Sequence, residues 1–119
     1  MYRLEFEIPG LPPTENGHKH WAVAGKLRKE WRKASMLKAI HAGQWSRPKL
    51  KSVRITATRF STTEPDRDNL SRSFKSVIDG LVDAGVIQDD KPSIVKELIT
   101  KWEKVGKGEG KIKIVVEEL

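Results

Sequence analysis

The chain has 119 residues, enough for one modest core, and we expect a single domain over residues 1–119. With 37% hydrophobic and 33% charged residues it is typical of a soluble globular protein, and no apolar run reaches the roughly 18 residues of a membrane-spanning helix. The absence of cysteine excludes disulfides, thiolate metal sites and cysteine nucleophiles. The net charge of +7 favours a polyanionic partner such as nucleic acid, although many small basic proteins bind nucleic acid only incidentally.

The hydrophobic pattern predicts an α/β (α+β) fold, a small mixed sheet with two main helices in the order β-α-β-α-β-β. Residues 2–8 alternate between apolar and polar and stop at Pro9-Gly10, which predicts a first strand. Residues 51–60 alternate in the same way and predict a second strand. A first helix is predicted between them, from about residue 24 to residue 42. Its apolar stripe consists of Leu27, Trp31, Ala34, Leu37 and Ile40.

The second half of the chain predicts a helix followed by two strands. Apolar residues recur at helical spacing over roughly 69–84, and Gly85 suits the position after the helix because glycine tolerates the left-handed conformation. Residues 94–102 fit either a helical stripe or a strand, and the β-branched residues and the glycine-rich turn at 106–110 favour a strand. Residues 112–116 alternate as a closing strand. We therefore expect the last two segments to form a hairpin.

The candidate chemistry lies in the segment Asp66-Arg67-Asp68-Asn69-Leu70, between the second strand and the second helix. Two aspartates two residues apart can present their carboxylates to the same side and hold a hard divalent ion with open water positions. The alternative for Asp68 is structural, since an aspartate before a helix is a good N-cap. The pattern is not an EF-hand, because Ser71 stands where that loop needs glycine and Val77 where it needs glutamate.

A third carboxylate is available in Asp89-Asp90, after the second helix. It can reach the first two only if the following loop folds back or if a second subunit supplies it, and the sequence leaves both routes open. Arg72 and Lys75 lie about one and two turns into the helix, where they either stabilise phosphate charge or belong to a solvated surface. No serine triad or phosphate-binding glycine loop is present, and the histidines fit a loop better than a metal site.

Three segments, in this order, resemble the RusA family of Holliday junction resolvases. They are Leu11-Pro12-Pro13-Thr14-Glu15-Asn16, then Asp66-Arg67-Asp68-Asn69-Leu70, then the stretch from Asp83 to Asp90 that reads D-A-G-V-I-Q-D-D. The resemblance implies a homodimeric, Mg²⁺-dependent endodeoxyribonuclease, with Mn²⁺ able to replace Mg²⁺, that nicks four-way junctions symmetrically. It also implies a cytoplasmic enzyme of phage or prophage origin, without a membrane partner. A dimer suits this reaction, because one aspartate cluster supplies only one of the two cuts.

The family's catalytic and metal-binding aspartates fall on Asp66, Asp68 and Asp90. Its catalytic lysine stands one turn after the aspartate motif, where this chain has Arg72, and Lys75 lies three residues farther on. Arginine keeps the charge but not the compact ammonium group, so either residue can take that role. The residues expected to contact DNA are Asn16, Lys19, Arg28, Lys29, Arg67 and Asn69.

The alternative from another functional class is a non-catalytic basic module for branched or single-stranded DNA. The first helix carries the residues for it, because Arg28, Lys29 and Arg32 can follow a phosphate backbone and Trp21 can stack on a base. The same arginines and lysines can equally be a solvated helix face.

Overall fold

A computed structural model describes residues 2–13, 21–43 and 48–119, with the side chains of residues 21–24 left out of the description. The expected order β-α-β-α-β-β is confirmed, with the second helical region divided in two. The elements are β1 (Arg3–Pro9), α1 (Trp21–Gly43), β2 (Val53–Ser61), α2 (Arg67–Ser73), α3 (Lys75–Asp83), β3 (Val95–Lys104) and β4 (Lys111–Glu118). None of the helices in the described ranges is long and apolar enough to cross a membrane.

The four strands form one mixed sheet in the order β1-β4-β2-β3. Strand β4 pairs antiparallel with both β1 and β2, and β3 pairs parallel with β2. The expected hairpin between β3 and β4 is therefore wrong, because β2 lies between them. The connection through α2 and α3 explains the difference: a parallel neighbour requires a long crossover, and these helices provide it between β2 and β3.

The helices pack on the sheet face that carries the inward residues of each strand. On the two central strands these residues are Val53, Ile55, Ala57, Ile112, Ile114 and Val116, all fully buried. Phe74, Val77 and Leu81 join them from the helices. Strand β3 is an edge strand, and most of its side chains are exposed or half-buried. The sheet thus places one open edge beside the helical crossover.

Helices α1 and α3 cross closely through small residues. A Cβ atom on Gly80 would lie 2.5 Å from the carbonyl oxygen of Arg32 and 2.6 Å from Cβ of Ser35. Ser35 Oγ donates to the carbonyl oxygen of Val77 at 2.7 Å, and Ala39 is fully buried. The predicted apolar stripe of α1 is therefore partly wrong, because Ser35 and Ala39 take the central contact. Trp31 and Ala34 pack against the core, but Leu27, Leu37 and Ile40 are 38%, 53% and 42% exposed.

The helix predicted over residues 69–84 is interrupted at Phe74. The amide of Phe74 donates to the carbonyl oxygen of Ser71, three residues earlier, and its side chain is fully buried. The predicted end at Gly85 is confirmed: this glycine has φ of 80°. The amide of Val86 donates to Leu81, as in a Schellman motif. The chain therefore turns sharply after α3 and returns towards the start of that helix.

Candidate active site

The carboxyl-terminal ends of β1, β2 and β3 lie at the same end of the sheet. Strand β3 is parallel to β2, and β1 also runs in the direction of β2, because both pair antiparallel with β4. The segment that leads from β2 to the aspartates starts at this end of the sheet, since β2 ends at Ser61 and α2 begins at Arg67. The topology therefore places Asp66 and Asp68 where the loop after β1 also begins.

Asp66 is the N-cap of α2. Its Oδ1 accepts the backbone amide of Asn69 at 2.9 Å, and its Oδ2 accepts the side-chain amide of Asn69 at the same distance. The helix-capping role considered for Asp68 is thus taken by Asp66. Asp68 itself lies in the first turn of α2 and is exposed. Asn69 is buried, so its amide orients the Asp66 carboxylate. Each carboxylate oxygen still has a free lone pair for a cation or a water molecule.

Asp90 reaches the helices because the chain folds back after α3. Two backbone hydrogen bonds hold the returning segment, from Leu50 to the carbonyl of Val86 and from Gln88 to the carbonyl of Leu50. Asp90 Oδ2 then accepts Lys75 Nζ at 2.5 Å, across 15 residues of sequence. Asp89 is used locally, since its Oδ1 accepts the amide of Asp90. Of the two routes that the sequence left open, folding back brings Asp90 to the beginning of α3.

Lys75 Nζ forms ion pairs with two carboxylates, with Asp90 Oδ2 at 2.5 Å and with Asp79 Oδ1 at 3.2 Å. The hydrogen bond from Lys75 holds the pKa of the Asp90 carboxyl below its ordinary value, against the opposing effect of partial burial. The same hydrogen bond raises the pKa of the Lys75 ammonium group. Both groups are therefore charged at neutral pH, and the ammonium neutralises the carboxylate that the resemblance assigns to a metal.

Asp68 and Arg72 are four residues apart in α2, which places them on one face of that helix, and Lys75 begins α3 after the interruption at Phe74. Arg72 and Lys75 line the same groove, together with Asp90. The groove has a volume of about 450 Å³, and its apolar wall includes Ile78, Pro92, Val95 and Leu98. A second depression of about 670 Å³ lies beside the start of α2 and is lined by Glu64, Asp66, Arg67 and Thr100. The expected site residues thus lie along both sides of α2, above strand β3.

The described residues do not assemble a metal site. Across residues 2–13, 21–43 and 48–119, no group of three or more histidine, aspartate or glutamate side chains is arranged to hold a metal ion. The carboxylates are the hard oxygen donors that Mg²⁺ prefers. However, Asp66 lines one depression, while Asp90 lines the other and is paired with Lys75. Asp68 in α2 and Lys75 at the start of α3 lie on either side of the interruption at Phe74. The donor chemistry fits a divalent ion, but the described carboxylates are not gathered into one site.

The expected DNA-binding residues fall in three places. Arg28 and Lys29 are exposed on α1, and Arg67 is exposed at the start of α2. Arg32 is engaged by Asp83, with two hydrogen bonds of 2.5 and 2.8 Å, and is less available for phosphate. Asn16 and Lys19 lie outside the described residues, and so does the side chain of Trp21.

Two buried polar residues near the same end of the sheet were not predicted from the sequence. Arg59 is 8% exposed, and its Nη1 donates to the carbonyl oxygen of Pro12 at 2.9 Å, which ties the loop after β1 to β2. Burial lowers the pKa of this guanidinium group. Ser61 is 5% exposed and accepts a hydrogen bond from Trp102. Strand parity contains the signal for both, because Arg59 and Ser61 share the inward parity of Val53, Ile55 and Ala57.

Comparison with known proteins agrees with the sequence motifs. The family model described as endodeoxyribonuclease RusA matches residues 20–117, which is more than four fifths of the chain. No curated protein matches the chain significantly. The family match includes both aspartate segments and the helical crossover between them, and so spans the whole region around α2 described above. The chain belongs to the endodeoxyribonuclease RusA family.

Proposed function

We propose that this protein is a single RusA-like endonuclease domain that resolves Holliday junctions by paired, symmetric nicks. The observation that carries the proposal is the return of Asp90 to Lys75, in the groove that Arg72 also lines. Acidic and basic groups that are distant in sequence are thereby brought beside one another. Membership of an endodeoxyribonuclease family supports phosphodiester hydrolysis as the chemistry.

We assign Asp66, Asp68 and Asp90 as the ligands of Mg²⁺, with Mn²⁺ as a substitute. A bound divalent ion would supply the positive charge that lets carboxylates stand beside a DNA phosphate. Arg72 and Lys75 are assigned to the phosphate, because both line the groove and their positive charge can stabilise the negative charge that develops on the phosphate during hydrolysis. Of the two, Lys75 already contacts Asp90. It therefore fits the role of the family lysine better than Arg72 does.

We propose a homodimer that covers the groove beside Asp90. Its apolar wall is partly open to solvent, with Leu98 44% exposed on the edge strand β3 and Pro92 exposed in the loop before it. The carboxylates in the described part of the chain do not form a metal site by themselves, and a second protomer on this groove would bring further carboxylates to it. The two-fold symmetry of such a dimer matches that of a four-way junction.

We assign DNA backbone contacts to Arg28, Lys29 and Arg67, which are exposed and basic. The same assignment is made for Asn16 and Lys19 from the sequence. Because the Asn69 side chain is buried, we assign it chiefly the role of holding the Asp66 carboxylate. The family resemblance leads us to propose a cytoplasmic protein of phage or prophage origin.

A synthetic four-way junction incubated with Mg²⁺ tests the proposal. The wild-type protein should introduce paired nicks, and Asp68→Asn should abolish nicking while junction binding survives or becomes tighter. Glu103→Gln is a matched control, because it removes one carboxylate from an exposed position on β3 outside both depressions. A band shift without nicks by the wild-type protein would instead favour the non-catalytic DNA-binding module.

A further inference from the structure

Ser61 is the last residue of β2 and directly precedes the segment, residues 62–65, that leads to Asp66. Its side chain is 5% exposed and its hydroxyl has two partners, the indole Nε1 of Trp102 and the carbonyl oxygen of Thr63, each at 2.8 Å. Its own carbonyl oxygen accepts the amide of Val105 at 3.1 Å. Ser61 is therefore held by the loop after β3 and in turn holds the loop after β2.

The direction of these bonds follows from the chemistry of the groups. An indole N–H can only donate, so Ser61 Oγ accepts from Trp102. A hydroxyl has one proton, and the carbonyl of Thr63 can only accept, so that proton points to Thr63. Trp102 thus orients the hydroxyl, and the hydroxyl fixes the middle of the 62–65 loop. The tryptophan ring packs against the core, which keeps the donor in place.

We propose that Ser61 and Trp102 are positioning residues that set the location of the Asp66 carboxylate. The loop from 62 to 65 is anchored at Thr63 by Ser61 and ends at Asp66, whose carboxylate is held by Asn69. Thr62, Thr63 and Glu64 are exposed, and the Ser61 side chain bonds this exposed stretch to the end of β2. Without this bond, the hydrogen bonds that the described part of the chain gives Asp66 all come from α2. The inference rests on the proposed function, since it matters for catalysis only if Asp66 is a site residue.

Two variants separate the roles of the two residues. Ser61→Ala removes the anchor, while Trp102→Phe keeps an aromatic ring in the core and removes only the donor that orients the hydroxyl. We expect Ser61→Ala to lower kcat for junction cleavage about three- to tenfold, the size of one net hydrogen bond, with KM unchanged within about twofold. Trp102→Phe should have a smaller effect. The double variant should match Ser61→Ala, because Trp102 acts on the loop through Ser61.

Amide hydrogen exchange provides a readout that does not depend on cleavage. The amide of Asn69 donates to Asp66 Oδ1, so its exchange should accelerate by a similar factor in Ser61→Ala. The amide of Ile78 donates to Phe74 within the helical region and is the internal control. Unchanged exchange at Asn69, or additive effects of the two substitutions on kcat, would overturn the inference. If the wild-type protein fails to cleave junctions, the proposed function fails, and the exchange measurement still tests the loop anchor.

Discussion

The crossing of α1 and α3 makes a quantitative prediction for Gly80→Ala. The new Cβ would lie 2.5 Å from the carbonyl oxygen of Arg32, 2.6 Å from Cβ of Ser35 and 2.9 Å from the amide nitrogen of Met36. Two of these three atoms belong to the backbone, so no side-chain rotation relieves the overlap and the helices must separate. Overpacking costs about 1–3 kcal/mol, and the upper part of this range, about 2–3 kcal/mol, applies here because two of the overlapping atoms are backbone. Alanine gains about 1 kcal/mol in helix propensity over glycine, which leaves a net loss of about 1–2 kcal/mol.

We therefore expect Gly80→Ala to lower the free energy of unfolding by about 1–2 kcal/mol, which corresponds to a decrease in Tm of roughly 4–8 °C for a chain of this size. The matched control is Gly25→Ala in α1, where an added Cβ meets no atom of the described residues within 4 Å. This variant should be more stable than wild type by about 0.5–1 kcal/mol. Urea and thermal unfolding followed by circular dichroism measure both. A Gly80→Ala protein as stable as the Gly25→Ala protein would refute the close helix crossing.

Three other predictions concern the loop after β1, the α1–α3 ion pair and the open edge. Arg59→Met should lower the unfolding free energy in urea by about 1–2 kcal/mol, because the buried carbonyl of Pro12 loses its donor while removal of a desolvated charge returns part of the cost. Equal stability would show that the bond contributes nothing. Arg32 holds the pKa of Asp83 below its ordinary value, so the pair stabilises the fold above about pH 4 and this stabilisation is lost as pH falls through the lowered pKa. Asp83→Asn should thus lower Tm at pH 7, the difference in Tm should shrink as the pH falls below about 4, and a difference that stays constant on acidification would contradict the assignment. If the proposed dimer forms through the groove, Leu98→Asp should yield a folded monomer in sedimentation experiments, where the wild-type protein sediments as a dimer, and a variant of dimer mass would contradict the proposed contact.

The local pattern of the chain predicts its elements and its chemical groups well. Alternation in β1, β2 and β4, helical spacing after residue 69 and the glycine at position 85 all appear as expected, because each depends on neighbours within a few residues. The three segments that resemble the RusA family also predicted the family, and the family model over residues 20–117 confirms it.

Tertiary structure decided the features that depend on distant partners. Whether β4 pairs with β3 or β2 is not encoded in its alternation, which suits either neighbour, and the helical crossover placed β3 on the far side of β2. The inward face of α1 was set by Gly80 on another helix, which admits Ser35 and Ala39 and leaves Leu37 exposed. The loop that returns Asp90 to Lys75 depends on backbone pairing with Leu50, 40 residues earlier. Packing and long-range hydrogen bonds choose among arrangements that local propensity leaves nearly equal in free energy.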